Sequence, residues 1–227
     1  MKRIPAISLY AIAMGYLEAV VVIYIRQMTN GNLLLVFPLH FLGSEFVFIE
    51  CGRELATIIM LAAVGYLTGK SRLHRWMYFI FAFAIWDVTY YLFLQFLTGW
   101  PGSLFAYDVL FLIPVAWIGP VIAPLLVSIV LGSTSAIVIM ISDESNIRAT
   151  NRFNMIAFVV GCLTIIYSFT QEIFHILIID GPKGIEGYSP GQFDWIPFST
   201  GLLIMTFASV RFVTEVHQKM IQKKVDK

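Results

Sequence analysis

The chain has 227 residues, of which 59% are hydrophobic and only 13% are charged, and its formal net charge is +1 at pH 7. Soluble domains carry roughly 25% charged residues, so this composition excludes an ordinary water-soluble protein. The near-zero net charge also argues against a nucleic-acid partner, which requires a basic patch or stripe.

Six apolar segments follow one another along the chain, and each is long enough for a transmembrane helix, which needs about 20 mostly apolar residues. They lie at about 4–27, 46–69, 75–99, 113–141, 154–179 and 195–216. The connections are short and contain turn residues, as in the Trp-Pro-Gly-Ser sequence of residues 100–103. The sequence therefore predicts an all-α, polytopic integral membrane protein, with a single six-helix transmembrane domain over residues 1–227.

The distribution of lysine and arginine indicates the orientation of these segments, because positively charged residues concentrate in cytoplasmic loops. One set of segment ends carries Lys2, Arg3, Lys70, Arg72, Arg75, Arg148, Arg152, Lys219, Lys223, Lys224 and Lys227. The connections after the third and fifth segments hold only Lys183. We therefore expect both termini in the cytoplasm, and the lipid bilayer of a bacterial or archaeal cytoplasmic membrane around the chain.

Two connections on the opposite, outer side are unusually apolar. Residues 33–45 and 103–112 are too hydrophobic for solvated loops and too short to cross a bilayer. Both are expected to lie at the membrane interface or to re-enter it, where protein or a cavity satisfies their backbone. The fourth segment contains Pro114, Gly119, Pro120 and Pro124, which predict either an interrupted, solute-binding helix or a simple packing kink.

Ionisable residues inside apolar spans are costly to insert and therefore mark candidate functional sites. In this sequence they lie in the predicted outer half of the bundle, together with neighbouring aromatic residues. The candidates are Glu18, Arg26, Glu50, Arg53, Glu54, Asp87, Tyr90, Tyr91, Asp108, Trp117, Glu172 and His175. Helical spacing aligns several of them in stripes, as for Glu50, Glu54 and Thr57. Because stripes facing lipid would be unsatisfied, we expect four helices to turn them toward one interior cavity, shared by Asp87 and Glu172.

The acids of this group outnumber its bases, since six carboxylates accompany only two arginines and one histidine. Ion pairs that merely hold helices together would account for part of the group. The surplus of buried acids requires bound protons or a bound cation. The resulting hypothesis is a membrane binding or transport protein with an acid-rich extracytoplasmic pocket for a cationic or polar small solute, or for protons.

A membrane-embedded metalloenzyme is the first alternative. Glu172 and His175 have the Glu-x-x-His spacing of di-iron sites in helical bundles, and Glu54 and Asp87 are candidates for further metal ligands. Those sites use two such motifs, whereas this chain has one. A metal site is therefore an alternative to the cation or proton site, and it would be formed by some of the same residues.

Haem binding is not expected from the four histidines. His40 and His175 are on the predicted outer side, whereas His74 and His217 lie among lysines and arginines at the inner membrane surface. A second alternative is an accessory subunit of an energy-transducing complex, in which the acids relay protons near a quinone. The substrate, any cofactor and enzymatic activity stay open at this point, as does the choice between a homo-oligomer and a larger membrane complex.

Overall fold

Five helices in the described part of the chain are long and apolar enough to cross a membrane. The structure, a computed structural model, describes residues 3–40, 43–142 and 151–226. The five helices are α1 (Arg3–Asn30), α3 (Arg72–Thr98), α4 (Ile122–Ile141), α5 (Arg152–Ile179) and α6 (Trp195–Val225). A sixth helix, α2 (Ser44–Thr68), carries four charged residues in its first three turns and is not among these five. The predicted helical architecture is confirmed, and five of its helices are compatible with membrane spanning by their length and composition.

Polar contacts bring several helix ends together at one end of the bundle. The Arg3 side chain donates to the carbonyl oxygen of Thr68 at 2.8 Å, which joins the start of α1 to the end of α2. His74, at the start of α3, lies 3.1 Å from the carbonyl oxygen of Ser142 after α4. We call this the basic end, and the opposite one the hairpin end. Of the basic residues used to predict orientation, Lys2, Arg148 and Lys227 lie outside the described residues.

Helix α3 is the centre of the bundle, in contact with α1, α2 and α4. Half of the residues in its most apolar stretch are buried. In the other four membrane-length helices the corresponding fraction is one third or less. Helices α5 and α6 form a second unit that is joined to the first through α4. Small residues allow this close approach: a Cβ atom added to Gly161 would lie 2.8 Å from the backbone nitrogen of Met205, and one on Gly201 would lie 2.8 Å from the Gly161 carbonyl oxygen.

A two-stranded antiparallel ribbon occupies the hairpin end between α3 and α4. Its strands are β1 (Tyr107–Phe111) and β2 (Trp117–Pro120), with Tyr107 opposite Pro120. The backbone of Val121 donates to the carbonyl oxygen of Ala106 at 3.0 Å, which ties the hairpin to the start of α4.

The hairpin corrects the prediction for the fourth span. Helix α4 begins at Ile122 and not near residue 113, so Pro114 lies in the hairpin turn while Gly119 and Pro120 belong to β2. The interrupted-helix interpretation of this segment is therefore wrong. Only Pro124 lies in α4, within the first turn, where a missing N–H removes no helical hydrogen bond.

The other apolar connection, after α1, is non-helical over residues 31–40 and rests on the segment that links α5 to α6. Leu39 and the 186–191 region exchange backbone hydrogen bonds, from Leu39 to the Tyr188 carbonyl at 2.8 Å and from Gly187 to the Leu39 carbonyl at 2.9 Å. That linking segment contains a 3₁₀ turn over Pro182–Ile185. Residues 41 and 42 of the predicted interfacial loop lie outside the described residues.

Candidate functional site

A small polar cavity lies at the hairpin end, enclosed by α1, α2, α3 and strand β1. Its volume is about 50 Å³. Glu18, Val22, Arg53, Glu54, Thr57, Trp86, Asp87, Tyr90, Tyr91, Val109, Leu110 and Phe111 line it. Three helices thus bring six of the twelve predicted site residues to one cavity, and β1 supplies a wall that the sequence did not predict.

Helix α2 contributes its polar stripe because that stripe is the buried face of the helix. Glu50, Glu54 and Thr57 are buried, followed on the same face by Leu61 and Gly65. The opposite face exposes large apolar side chains, including Phe48, Leu55, Ile59 and Leu67. A helix with buried acids and exposed apolar residues is suited to a lipid exterior and a polar interior. The predicted convergence of the α2 stripe on the bundle interior is confirmed.

Arg53 joins α2 to α1. Its Nε donates to Glu50 Oε2 at 2.8 Å, and its Nη1 pairs with Glu18 Oε1. Thr57 donates to the other Glu18 oxygen at 3.3 Å. One guanidinium therefore neutralises at most one of the two carboxylates that it contacts.

Arg26 and Asp108 form a second, deeply buried ion pair at 2.9 Å, with side chains only 6% and 4% exposed. This pair fastens the hairpin to α1. The guanidinium also lies over the Trp100 ring, 3.8 Å from its centroid, and the Tyr90 hydroxyl donates to Asp108 at 3.4 Å. Burial raises the pKa of the Asp108 carboxyl above its ordinary value, while Arg26 and hydrogen bonds from Tyr90 and Tyr91 act in the opposite direction.

Glu54 and Asp87 are the two cavity acids that form no ion pair within the described residues. Glu54 accepts a hydrogen bond from the backbone N–H of Leu112 at 2.9 Å, at the end of the hairpin's first strand. Asp87 accepts one from the Ser128 hydroxyl on α4 at 2.8 Å. Each carboxylate thus has a neutral donor on one oxygen and no ion pair among the described residues. The Arg53 guanidinium is near enough to act electrostatically on Glu54, but it is bonded to Glu18 and Glu50.

The charge of the cavity is therefore unbalanced. Three carboxylates, those of Glu18, Glu54 and Asp87, line it with the single guanidinium of Arg53, which is shared with Glu50 outside the lining. The lining also holds an unused donor, because the buried indole N–H of Trp86 has no hydrogen-bond partner among the described residues. Bound protons or a cation can compensate the negative charge, and a water or solute oxygen can accept from Trp86.

Helix α5 does not take part in this cavity. Glu172 and His175 are exposed, and neither lines it, so the expectation that Glu172 shares a cavity with Asp87 is wrong. Glu172 instead faces the Tyr188 phenol, whose pKa is raised by burial and further by this carboxylate. No three His, Cys, Asp or Glu side chains in the described parts of the chain come together as a metal site requires. The predicted metal ligands Glu172, His175, Glu54 and Asp87 are therefore not assembled.

Two further residues differ from their predicted surroundings. Trp117 is on β2 outside the polar cavity, stacked on Phe169 of α5 with ring centroids 6.3 Å apart. His74 is buried at the basic end, where its ring nitrogens contact the hydroxyl of Ser71 and the carbonyl oxygen of Ser142. His74 therefore joins the start of α3 to the end of α4 at the basic end.

The β1 residues Val109, Leu110 and Phe111, and Ser128 of α4, are parts of the site that the candidate residues did not include. A hairpin signal was present, since the apolar runs of residues 107–111 and 117–120 flank a turn that contains Pro114. Ser128 gave no signal, because serine hydroxyls in apolar helices ordinarily bond to their own backbone.

Comparison with known proteins adds no relative: no family model, no curated protein and no solved structure matches the chain.

Proposed function

We propose that this chain is a membrane transport protein that takes up a proton or a small inorganic cation in the acidic cavity. The observation that carries the proposal is the pair Glu54 and Asp87, two buried cavity carboxylates that form no ion pair in the described structure. Unpaired buried charges are strongly disfavoured, so the site favours either protonated acids or an occupying cation.

The size of the cavity limits the occupant. A water molecule needs roughly 10–15 Å³ of cavity volume measured in this way, so about 50 Å³ holds a few waters or one small, partly hydrated cation. An amino acid or a vitamin does not fit in that space. Of the solutes compatible with the sequence, the proton and small inorganic cations are favoured, and larger polar solutes are not.

The hairpin supplies a physical means of opening and closing the site. Its Leu112 N–H is bound to one of the unpaired acids, Glu54, while Asp108 anchors the same hairpin through Arg26. A proton or cation arriving at Glu54 weakens the charge-assisted bond to Leu112. We infer that occupancy of the acids and the position of β1 are coupled.

The topology that accompanies this proposal has six spans, with α2 as the additional one and both termini in the cytoplasm. The inward-facing acids and lipid-suited apolar face of α2 support its inclusion. The lysine and arginine distribution supports a cytoplasmic basic end, and so an extracytoplasmic cavity, in a bacterial or archaeal cytoplasmic membrane.

Flux into proteoliposomes tests the proposal. Vesicles with a membrane potential negative inside are assayed for entry of protons, with a trapped pH-sensitive dye, and separately for entry of Na⁺. We expect entry of one of the two ions above the level of empty vesicles, and its loss in both Asp87→Asn and Glu54→Gln.

The matched control is Glu172→Gln, which makes the same chemical change on an exposed acid outside the cavity and should retain the flux. If wild-type vesicles were as tight as empty ones to both ions, or if Asp87→Asn and Glu54→Gln transported normally, the proposal would be wrong.

A further inference from the structure

A second cavity lies toward the basic end of the bundle, between α3, α4, α5 and α6. Its volume is about 160 Å³, and aliphatic, aromatic and methionine side chains form most of its wall. Met77 of α3 and Phe212 of α6 belong to this wall, and none of the acids that line the first cavity does. The second cavity is therefore not part of the proposed cation site.

The volume matches one ring-sized molecule. Apolar cavities of about 150 Å³ in proteins stay dry and take up benzene, because water gains too few polar partners there. Phe158, Phe212 and Met155 are side chains that suit a flat ring, through aromatic and sulfur–aromatic contacts.

Four polar side chains, those of Thr134, Ser135, Asn154 and Ser209, lie in the wall, and one of them gives the cavity chemical specificity. The side-chain amide of Asn154 donates to the carbonyl oxygen of Ala208 at 3.1 Å. Ser209, on α6, is 3% exposed, and its hydroxyl has no hydrogen-bond partner among the described residues. The other two hydroxyls of the wall are bound within their own helix: Ser135 donates to the Gly132 carbonyl at 3.0 Å and Thr134 to the Val130 carbonyl at 2.7 Å. Since buried hydroxyls in proteins are normally hydrogen-bonded, Ser209 is a polar group that a ligand can satisfy.

We propose that this cavity binds an uncharged, lipid-soluble molecule through a single six-membered ring that carries a hydrogen-bonding oxygen, as in phenols and quinones. The Ser209 hydroxyl bonds to the ring oxygen, and the apolar wall encloses the ring. The molecule enters from the lipid beside α5, where Met155 of the wall is 53% exposed.

Binding of two fluorinated probes to the purified protein in micelles tests the proposal. Fluorobenzene and para-fluorophenol differ by one hydroxyl, and fluorine NMR separates saturable binding from simple partition into the micelle. We expect saturable binding of both probes, with the phenol bound more tightly. Ser209→Ala should weaken the phenol about tenfold, the usual scale of one lost hydrogen bond, and leave fluorobenzene unchanged.

Two variants complete the test. Ser135→Ala removes a hydroxyl from the same wall that is already bound to its own helix, and should alter neither probe. Leu131→Trp fills the cavity and should abolish saturable binding of both. Absence of saturable binding by the wild type would overturn the proposal, and so would a Ser209→Ala protein that binds the phenol as tightly as the wild type. The flux of the proposed cation site is a separate readout, so failure of one proposal is distinguishable from failure of the other.

Discussion

The buried pair of Arg26 and Asp108 allows a quantitative prediction, because its two members respond differently to losing their partner. Asp108→Asn keeps the shape of the side chain but leaves the Arg26 guanidinium, 5% exposed, without a counter-charge. The guanidinium stays charged, because arginine does not lose its proton in proteins. Removing one partner of a buried ion pair ordinarily costs about 3–5 kcal/mol, and we expect Asp108→Asn to lower the free energy of unfolding by that amount.

The opposite substitution, Arg26→Gln, should cost less. It leaves a buried carboxyl that can become neutral by binding a proton, and Tyr90 and Tyr91 still donate to it. The double variant, which leaves no charge unpaired, should regain most of the stability lost in Asp108→Asn. The wild type should therefore be the most stable protein and Asp108→Asn the least stable. The double variant and Arg26→Gln should lie between them.

Unfolding of the purified protein by titration with sodium dodecyl sulfate measures these free energies. The matched control is Glu186→Gln, which removes the charge from an exposed pair with His40, at 3.3 Å and with side chains 55% and 48% exposed. Exposed pairs contribute about 0–1 kcal/mol, so this variant should unfold almost as the wild type does. If Asp108→Asn cost only about 0.6 kcal/mol, the average for a hydrogen bond between membrane helices, the pair would contribute no more than an ordinary hydrogen bond and the reasoning would be refuted.

Three other predictions follow from the packing and the charge distribution. Gly161→Leu should separate α5 from α6 and prevent monodisperse purification, because a side chain there meets the backbone of Met205; Gly191→Leu, in open space, should purify normally on size exclusion. Glu172→Gln should leave the free energy of unfolding within about 0.5 kcal/mol of wild type, as for exposed sites generally, and a larger loss in the same detergent titration would contradict its placement. A reporter fused to the C-terminus should be active only in the cytoplasm, and periplasmic activity would contradict the orientation.

The sequence predicted the helices and the inner face of α2 for one physical reason. Lipid cannot satisfy polar groups, so long apolar runs must be helical and the acids within them must point inward. Glu50, Glu54 and Thr57 recur at helical spacing, which identified their common face without knowledge of the packing. Asp87 and Tyr90 on α3 followed by the same argument.

The hairpin and the position of α5 required information that hydropathy does not contain. Residues 113–121 are as apolar as a helix, and their strand pairing depends on contacts with residues 104–111. The sequence predicts Glu172 at a depth similar to that of Asp87, but depth along a helix does not say which neighbour the helix packs against. Because α5 pairs with α6 and not with α1–α3, its acid is on another side of the bundle.

The central claim is that the surplus negative charge of the acidic cavity is neutralised by a proton or a bound cation. Infrared difference spectra of the purified protein at pH 7, in a buffer free of metal ions, test it most directly, through the carbonyl-stretch band of protonated carboxylic acids. We predict a protonated-carboxyl band that weakens when Na⁺ is added or pH is raised, and that loses intensity in Asp87→Asn or Glu54→Gln but not in Glu172→Gln. A spectrum in which every buried carboxyl is ionised in the absence of any bound cation would contradict the account.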